Sequence, residues 1–280
     1  MKLDELVIHS RSRANLEHYL QQPTHALMLT GVPGVGLGTI AQSLAKSIAG
    51  AEVILIQPTI HAKQKTANIN IDDIRSINQL IGRRRSERLA IVIDDVDMMT
   101  NDAPQAFLKL LEEPSQNVHY ILTAHDMTGI PTTIVSRTQI IPILPPDHME
   151  LEPLFNKSPV RLTADKRKKI AFMASGRSAE TVRLLADETY YRAATESVEK
   201  AKQFLLGDTM ERLEIITGIT NRTLAMKLAR DIANIIALTA AQAQNGHDIS
   251  LKLSTIATVL DNLKQNGNVR AQMLFLALNI

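Results

Sequence analysis

Cysteine and tryptophan are absent from this 280-residue sequence, and aromatic residues make up only 3% of it. Without a thiol, disulfides, thiolate nucleophiles and cysteine-ligated zinc or iron–sulfur centres are excluded. The scarcity of rings argues against a base-stacking platform for nucleic acid, which needs exposed aromatics. Net charge is small as well: 31 Lys and Arg against 29 Asp and Glu give +2. Phosphate binding depends on clustered cations rather than on a total, so this balance names no nucleic-acid partner. No stretch approaches ~18 uninterrupted apolar residues. The opening MKLDELVIHSRSRANLEHYL has no apolar signal-peptide core. These absences lead to the expectation of a cytoplasmic protein with no membrane partner.

Hydrophobic residues, at 45%, are plentiful enough for a real core built from Leu, Ile, Val, Ala and Met. In the first half, short apolar runs alternate with helical patterns. His25 to Thr30, Val53 to Ile56, Leu89 to Ile93, Val118 to Thr123 and Gln139 to Ile143 read as strands. Between them, Gly38 to Ala49 repeats Ile40, Leu44 and Ile48 on one helical face, Ile71 to Ile81 repeats Ile74, Ile77 and Ile81, and Ala103 to Leu111 reads as a third helix. Such alternation predicts a parallel sheet covered on both faces. Pro145-Pro146 then breaks the pattern. Beyond it the spacing predicts only helices: a short pair at Ala164 to Ser175 and Ala179 to Glu188, then Tyr190 to Leu206, Met210 to Thr217, Thr223 to Gln244, Ile249 to Lys264 and Val269 to Leu278. The turns Gly207-Asp208, Asn245-Gly246 and Asn266-Gly267 punctuate these. The expected plan is an α/β domain over 1–146, a small helical domain over 147–188 and an all-α bundle over 189–280.

After the first strand comes Gly31-Val32-Pro33-Gly34-Val35-Gly36-Leu37-Gly38-Thr39, then a helix. Strand, Gly-rich loop and helix N-terminus are the setting of a phosphate loop, GxxxxGK[ST]. Gly31 and Gly36 fit the pattern, but Leu37 stands where the Lys belongs and Gly38 where the hydroxyl belongs. That Lys bridges the β- and γ-phosphates and that hydroxyl holds Mg²⁺. Two readings stand: a Gly-rich turn that binds nothing, or a degenerate loop with residual nucleotide binding. A dinucleotide-type G-x-G-x-x-G fails because Thr39 occupies the last glycine position.

Further along, Ile91-Val92-Ile93-Asp94-Asp95 is an apolar strand ending in two carboxylates, the form of a Walker B motif, although a solvated strand end has the same form. From Asp94 the sequence continues through a helix ending Phe107-Leu108-Lys109-Leu110-Leu111-Glu112-Glu113-Pro114, a strand ending at Thr123, a loop with Pro131 and the triplet Ser136-Arg137-Thr138. This succession resembles the clamp-loader family of AAA+ proteins, and within it the delta-prime subunit family of bacterial DNA polymerase III. INIDDIRSINQLI before the acidic strand and NGNVRAQMLFLAL near the end resemble the family's flanking segments, so the likeness extends over most of the chain.

The resemblance implies a P-loop AAA+ domain, a helical lid and a helical collar. It also implies a sensor-1 role for Thr123, Walker B roles for Asp94 and Asp95, and an arginine finger at Arg137, beside Ser136, presented to ATP on a neighbouring subunit; the competing reading is an Arg137 that pairs with a nearby carboxylate such as Asp126, with Ser136 only capping or turning the chain. Other clamp-loader subunits, the sliding clamp and primed DNA are the implied partners. The departures are equally specific. Many members carry a cysteine cluster for zinc after the phosphate loop, and here there is none. The triplet ends in Thr138 rather than Cys, and the sensor-2 Arg aligns with Thr181, with Arg177 and Arg183 nearby. Loop Lys, metal hydroxyl and sensor-2 Arg are all missing, which points to a subunit with the fold but not the reaction, and with no nucleotide cofactor of its own. An active NTPase of the same fold and an AAA-like scaffold outside replication are the competing readings. The runs Arg83-Arg84-Arg85 with Arg88, and Lys166 to Lys169, read either as solvated faces or as phosphate contacts. Histidines are scattered singly, so no metal site is expected.

Overall fold

The computed structural model describes residues 2–49, 53–61, 67–83, 88–158, 162–240, 246–265 and 267–280. Arg84, Arg85, Gln244, Asn245 and Asn266, each singled out in the sequence, lie outside these. The chain forms two compact units, Met1–Leu162 with Gly176–Val182, and Thr163–Ser175 with Arg183–Ile280.

The first unit is a five-stranded sheet in the order β2-β3-β4-β1-β5. Its strands are β1 (Ala26–Thr30), β2 (Val53–Ile56), β3 (Leu89–Ile93), β4 (Val118–Ala124) and β5 (Gln139–Pro142). All four pairings are parallel. Successive side chains of a strand point to opposite faces, and the central strands use both. Met28, Leu89, Ile91, Ile93, Tyr120 and Leu122 join one buried cluster. Leu27, Leu29, Ala90, Val92 and Ile121 join another. Burial on both faces is why these strands read as continuous apolar runs. The helices α3 (Ile71–Arg83) and α4 (Ala103–Glu112) supply the first cluster through Ile74, Ile77, Phe107 and Leu111. The second is supplied by α1 (Ser10–Gln21) and α2 (Leu37–Ala49) through Leu16, Tyr19, Leu37, Ile40, Leu44 and Ile48. Pro142 is accommodated because β5 is an edge strand.

The short helix α5 (Thr132–Val135) precedes β5, and α6 (His148–Asn156) follows it. Neither was anticipated in the sequence, nor was α1. The helix α8 (Ser178–Ala186) begins in the first unit, where residues 176–182 belong.

The second unit holds α7 (Ala164–Ala174), α9 (Glu188–Leu206), α10 (Thr209–Thr217), α11 (Arg222–Ala240), α12 (Gly246–Lys264) and α13 (Val269–Asn279). Ala201, Phe204, Leu228, Ile232, Ile236, Ile256, Leu263 and Leu276 form its core. The expected helix over Ala179 to Glu188 stops earlier, at Ala186, because the Asp187 carboxylate accepts from Tyr190 N (2.9 Å) and caps α9 instead. Among the described residues no strand follows β5, and no helix is long and apolar enough to cross a membrane.

Candidate functional site

Parallel register brings three strand ends together. Thr30 of β1 pairs with Ala124 of β4, and Ile93 of β3 pairs with Leu122. The segments leaving these ends therefore meet at the carboxyl edge of the sheet, where open α/β folds place their ligands. They are the loop Gly31 to Gly36, the pair Asp94-Asp95, and Thr123 with His125.

Thr123 is fully buried and its hydroxyl is shared. It donates to Asp94 Oδ1 (2.6 Å) and accepts from Asp95 N (2.8 Å). Gln57 Nε2 donates to the other Asp94 oxygen at 3.4 Å. The first acid is thus held by the strand on each side of its own. Asp95 sits in the left-handed region (φ 55°), which a short polar side chain tolerates. Its carboxylate lies 3.4 Å from His125 Nε2, while His125 Nδ1 is 2.7 Å from Gly31 O. Burial raises the Asp95 pKa, and the neighbouring Asp94 adds to the effect, against a lowering by His125. Asp97 completes the edge by accepting from the backbone N–H groups of His125 and Asp126.

The glycine loop folds inward. Val35 and Leu37 are 1% and 2% exposed, and both join the core cluster on the α2 side of the sheet. Leu37 is the first member of the stripe Leu37, Ile40, Ala41, Leu44, Ala45 and Ile48 that seats α2. Its side chain is part of the core, at the position from which a Lys would reach phosphate. Gly38 faces Asp94 so closely that a Cβ there would stand 2.6 Å and 2.9 Å from the two carboxylate oxygens. The aspartate fills the space in which a Ser or Thr at this position would begin. Thr39 is exposed on the first turn of α2. Gly34 and Gly36 adopt φ of 89° and 97°, values available mainly to glycine.

The start of α8 lies against this loop. Ser178 Oγ donates to Val35 O (2.9 Å), a buried bond, and Glu180 N donates to Gly34 O (3.1 Å). A Cβ on Gly34 would meet Glu180 Cβ and the Arg177 stem at 3.3 to 3.5 Å, and one on Gly36 would meet Ala179 Cβ at 3.6 Å. Thr181, aligned with the absent sensor-2 Arg, is fully buried and donates to Arg177 O (2.9 Å). The nearby Arg183 stacks on the Tyr190 ring, 3.8 Å from its centroid. The structure thus brings together Gly31, Gly34, Gly36, Leu37, Gly38, Asp94, Asp95 and Thr123. Gln57, His125 and Ser178, which sequence reasoning missed, join them. They carry no local pattern; only the folded sheet edge makes them neighbours.

Ser136 and Arg137 stand apart from this group at the end of α5. Ser136 Oγ and Arg137 Nη1 both donate to Thr133 O at 3.1 Å, and Thr138 Oγ1 donates to Val135 O at 3.1 Å. Arg137 Nη2 lies 3.1 Å from Glu112 Oε1. Of the basic run on α7, Lys166 pairs with Glu188 (2.6 Å) and lies over the Tyr191 ring, and Lys169 pairs with Asp165 (2.9 Å). Among the described residues no group of three or more His, Cys, Asp or Glu is arranged to hold a metal ion.

Residues 52–147 match the family described as DNA polymerase III, delta subunit. The chain is 30% identical over 155 residues to replication factor C small subunit 2 of Pyrobaculum aerophilum, covering 51% of this chain and 45% of that one. It is 31% identical over 131 residues to DNA polymerase III subunit gamma of Buchnera aphidicola from Acyrthosiphon pisum, covering 40% and 36%. The chain therefore spans less than half the length of these relatives. A DNA polymerase III gamma subunit-related protein of Thermotoga maritima has a similar fold, with TM-score 0.50 and 18% identity over 94% of this chain and 98% of that one. The family match and the two sequence relatives support a relationship to the clamp-loader proteins, and the solved structure shares the fold.

Proposed function

We propose that this chain is a non-catalytic subunit of a clamp-loader assembly, of the delta-prime type found with bacterial DNA polymerase III, and that it helps to load a sliding clamp onto primed DNA. On this reading it does not hydrolyse ATP, and ATP is held by neighbouring subunits. The observation that supports this most is the state of the phosphate loop. Leu37 is in the core, and the Asp94 carboxylate abuts Gly38. Leu37 and Gly38 offer neither the loop cation nor the loop hydroxyl on which the charge stabilisation of phosphoryl transfer depends.

The divisions 1–146, 147–188 and 189–280 correspond in this proposal to the AAA+ domain, lid and collar, although the lid range does not form a unit of its own: residues 147–162 and 176–182 belong to the first compact unit and 163–175 and 183–188 to the second. For the collar, of the stripe Leu224, Leu228, Ile232, Ile235 and Ile236, the bundle's own core buries Leu228, Ile232 and Ile236. Leu206, Met210, Leu224, Leu251, Phe275 and Leu278 remain exposed on the second unit, apolar area suited to neighbouring subunits. Arg137 is the group proposed to act in trans, its planar guanidinium neutralising charge on ATP of the next subunit.

The test is an assembly reconstituted with its ATPase subunits. Arg137→Ala is expected to incorporate normally yet slow DNA-stimulated hydrolysis at one site by roughly 10³, and Arg137→Lys to fail to restore it. Wild-type clamp loading by both variants would make the chain a scaffold only.

A further inference from the structure

From the Arg137–Glu112 contact we infer that Glu112 is the positioning residue for the Arg137 guanidinium. This rests on the proposal that Arg137 acts in trans. The observation comes from two elements that are otherwise anchored separately. On α4, Phe107, Leu110 and Leu111 are buried, and Phe107 packs edge-on against Tyr120 with ring centroids 5.5 Å apart. Glu112 is the last residue of that helix, with Pro114 two positions on. Its backbone is therefore held by the core packing immediately before it and by the end of the helix immediately after it. On α5, Ile134 is buried and the side chains of Ser136, Arg137 and Thr138 all bond back to carbonyls of the same turn. Between the two, Glu112 Oε1 meets Arg137 Nη2 at 3.1 Å while Thr133 O meets Nη1 at 3.1 Å.

These contacts engage two of the five N–H donors of a guanidinium, one on each terminal nitrogen, and that fixes the plane of the group. An arginine left to itself in water samples many rotamers. A finger that works across an interface gains when that freedom is lost before assembly. The pair is poorly explained as a stabilising device. Its side chains are 38% and 52% exposed, in the range where ion pairs contribute little. A carboxylate in the last turn of a helix also faces the negative end of the helix dipole, so Glu112 gains nothing from its own helix. Glu113, next to it and exposed, lies outside this contact.

The test uses the reconstituted assembly with ATP, clamp and primed DNA. Glu112→Ala should lower turnover at the Arg137-dependent site about tenfold through misplacement of the guanidinium, with KM for ATP and the thermal midpoint of this chain essentially unchanged. Glu112→Gln, which keeps an oxygen acceptor, should recover most of the rate, and Glu113→Ala should match the wild type. Glu112→Ala added to Arg137→Ala should produce no further loss. A Glu112→Ala assembly as fast as the wild type or faster overturns the inference, as does a further loss in the Arg137→Ala background. If Arg137→Ala itself has no effect, the action in trans fails and this inference fails with it; if only Glu112→Ala lacks effect, the action in trans stands and the positioning role alone is lost.

Discussion

At the level of single residues, Leu37 and Gly38 are more than two missing functional groups. Each has been absorbed by the fold, Leu37 as the first anchor of the α2 stripe and Gly38 as the space into which Asp94 projects. Restoring the phosphate-loop consensus should therefore damage the protein before it helps it. Leu37→Lys exchanges a buried alkyl group for an ammonium and should lower stability by at least about 3 kcal/mol. Gly38→Thr forces the Asp94 carboxylate aside and should lower it by about 1–3 kcal/mol. Denaturant titration of each variant measures both losses. Unchanged midpoints would mean that the loop is more open than the geometry indicates.

Asp95 allows a second prediction at this scale. Its raised pKa means that the folded state binds the proton more tightly than the unfolded state does. The corresponding stability is complete below the ordinary carboxylate range and is lost as pH rises through the raised value. Asn at this position cannot ionise and also tolerates the left-handed backbone. Asp95→Asn should thus be more stable than the wild type at neutral pH, with the advantage shrinking as pH falls to the acid side of the carboxylate range. A difference in unfolding midpoint that does not vary with pH would contradict the burial argument.

At the level of elements, the strands and most of the helices were legible because their apolar residues repeat at the period of the structure they form. Leu89 to Ile93 is an example: all five residues are buried. What escaped notice had weaker patterns. The helix α1 buries only Ser12, Leu16 and Tyr19. The helix α6 follows Pro145-Pro146, which read as a break. Its signal was nevertheless present: Asp147 and Glu150 form a capping box, with Glu150 N donating to Asp147 Oδ1 and Asp147 N donating to Glu150 Oε2. The contact of residues 176–182 with the phosphate loop was invisible, because Ser178 and Val35 are separated by 143 residues and no local spacing connects them. That contact predicts how the chain can be shortened. A fragment ending at Asp187 keeps the Ser178 and Glu180 bonds to the loop, whereas one ending at Leu162 loses both and should be less stable by about 1–3 kcal/mol. Thermal unfolding of the two fragments decides this; equal midpoints would show that the segment only rests on the loop.

At the level of the whole molecule, the candidate site was half legible. The motif residues Gly31 to Thr39, Asp94, Asp95, Thr123 and Arg137 stand out in the sequence because each type sits at a motif-defined spacing. Their neighbours Gln57, His125 and Ser178 do not, since what selects them is distance in the folded structure; Glu112 lies in a legible motif, but its contact with Arg137 does not show in the sequence. The resulting picture is an α/β unit whose nucleotide loop is closed by the chain's own side chains, accompanied by a helical bundle with apolar residues left exposed. On the function proposed above, such a chain would contribute to a reaction carried out on a neighbouring subunit. The most direct test is nucleotide binding and turnover by the purified chain, with ATP and Mg²⁺ and no other subunit. The purified chain is expected to show neither saturable ATP binding nor phosphate release above background. Stoichiometric ATP binding with turnover that Asp94→Ala abolishes would contradict this expectation.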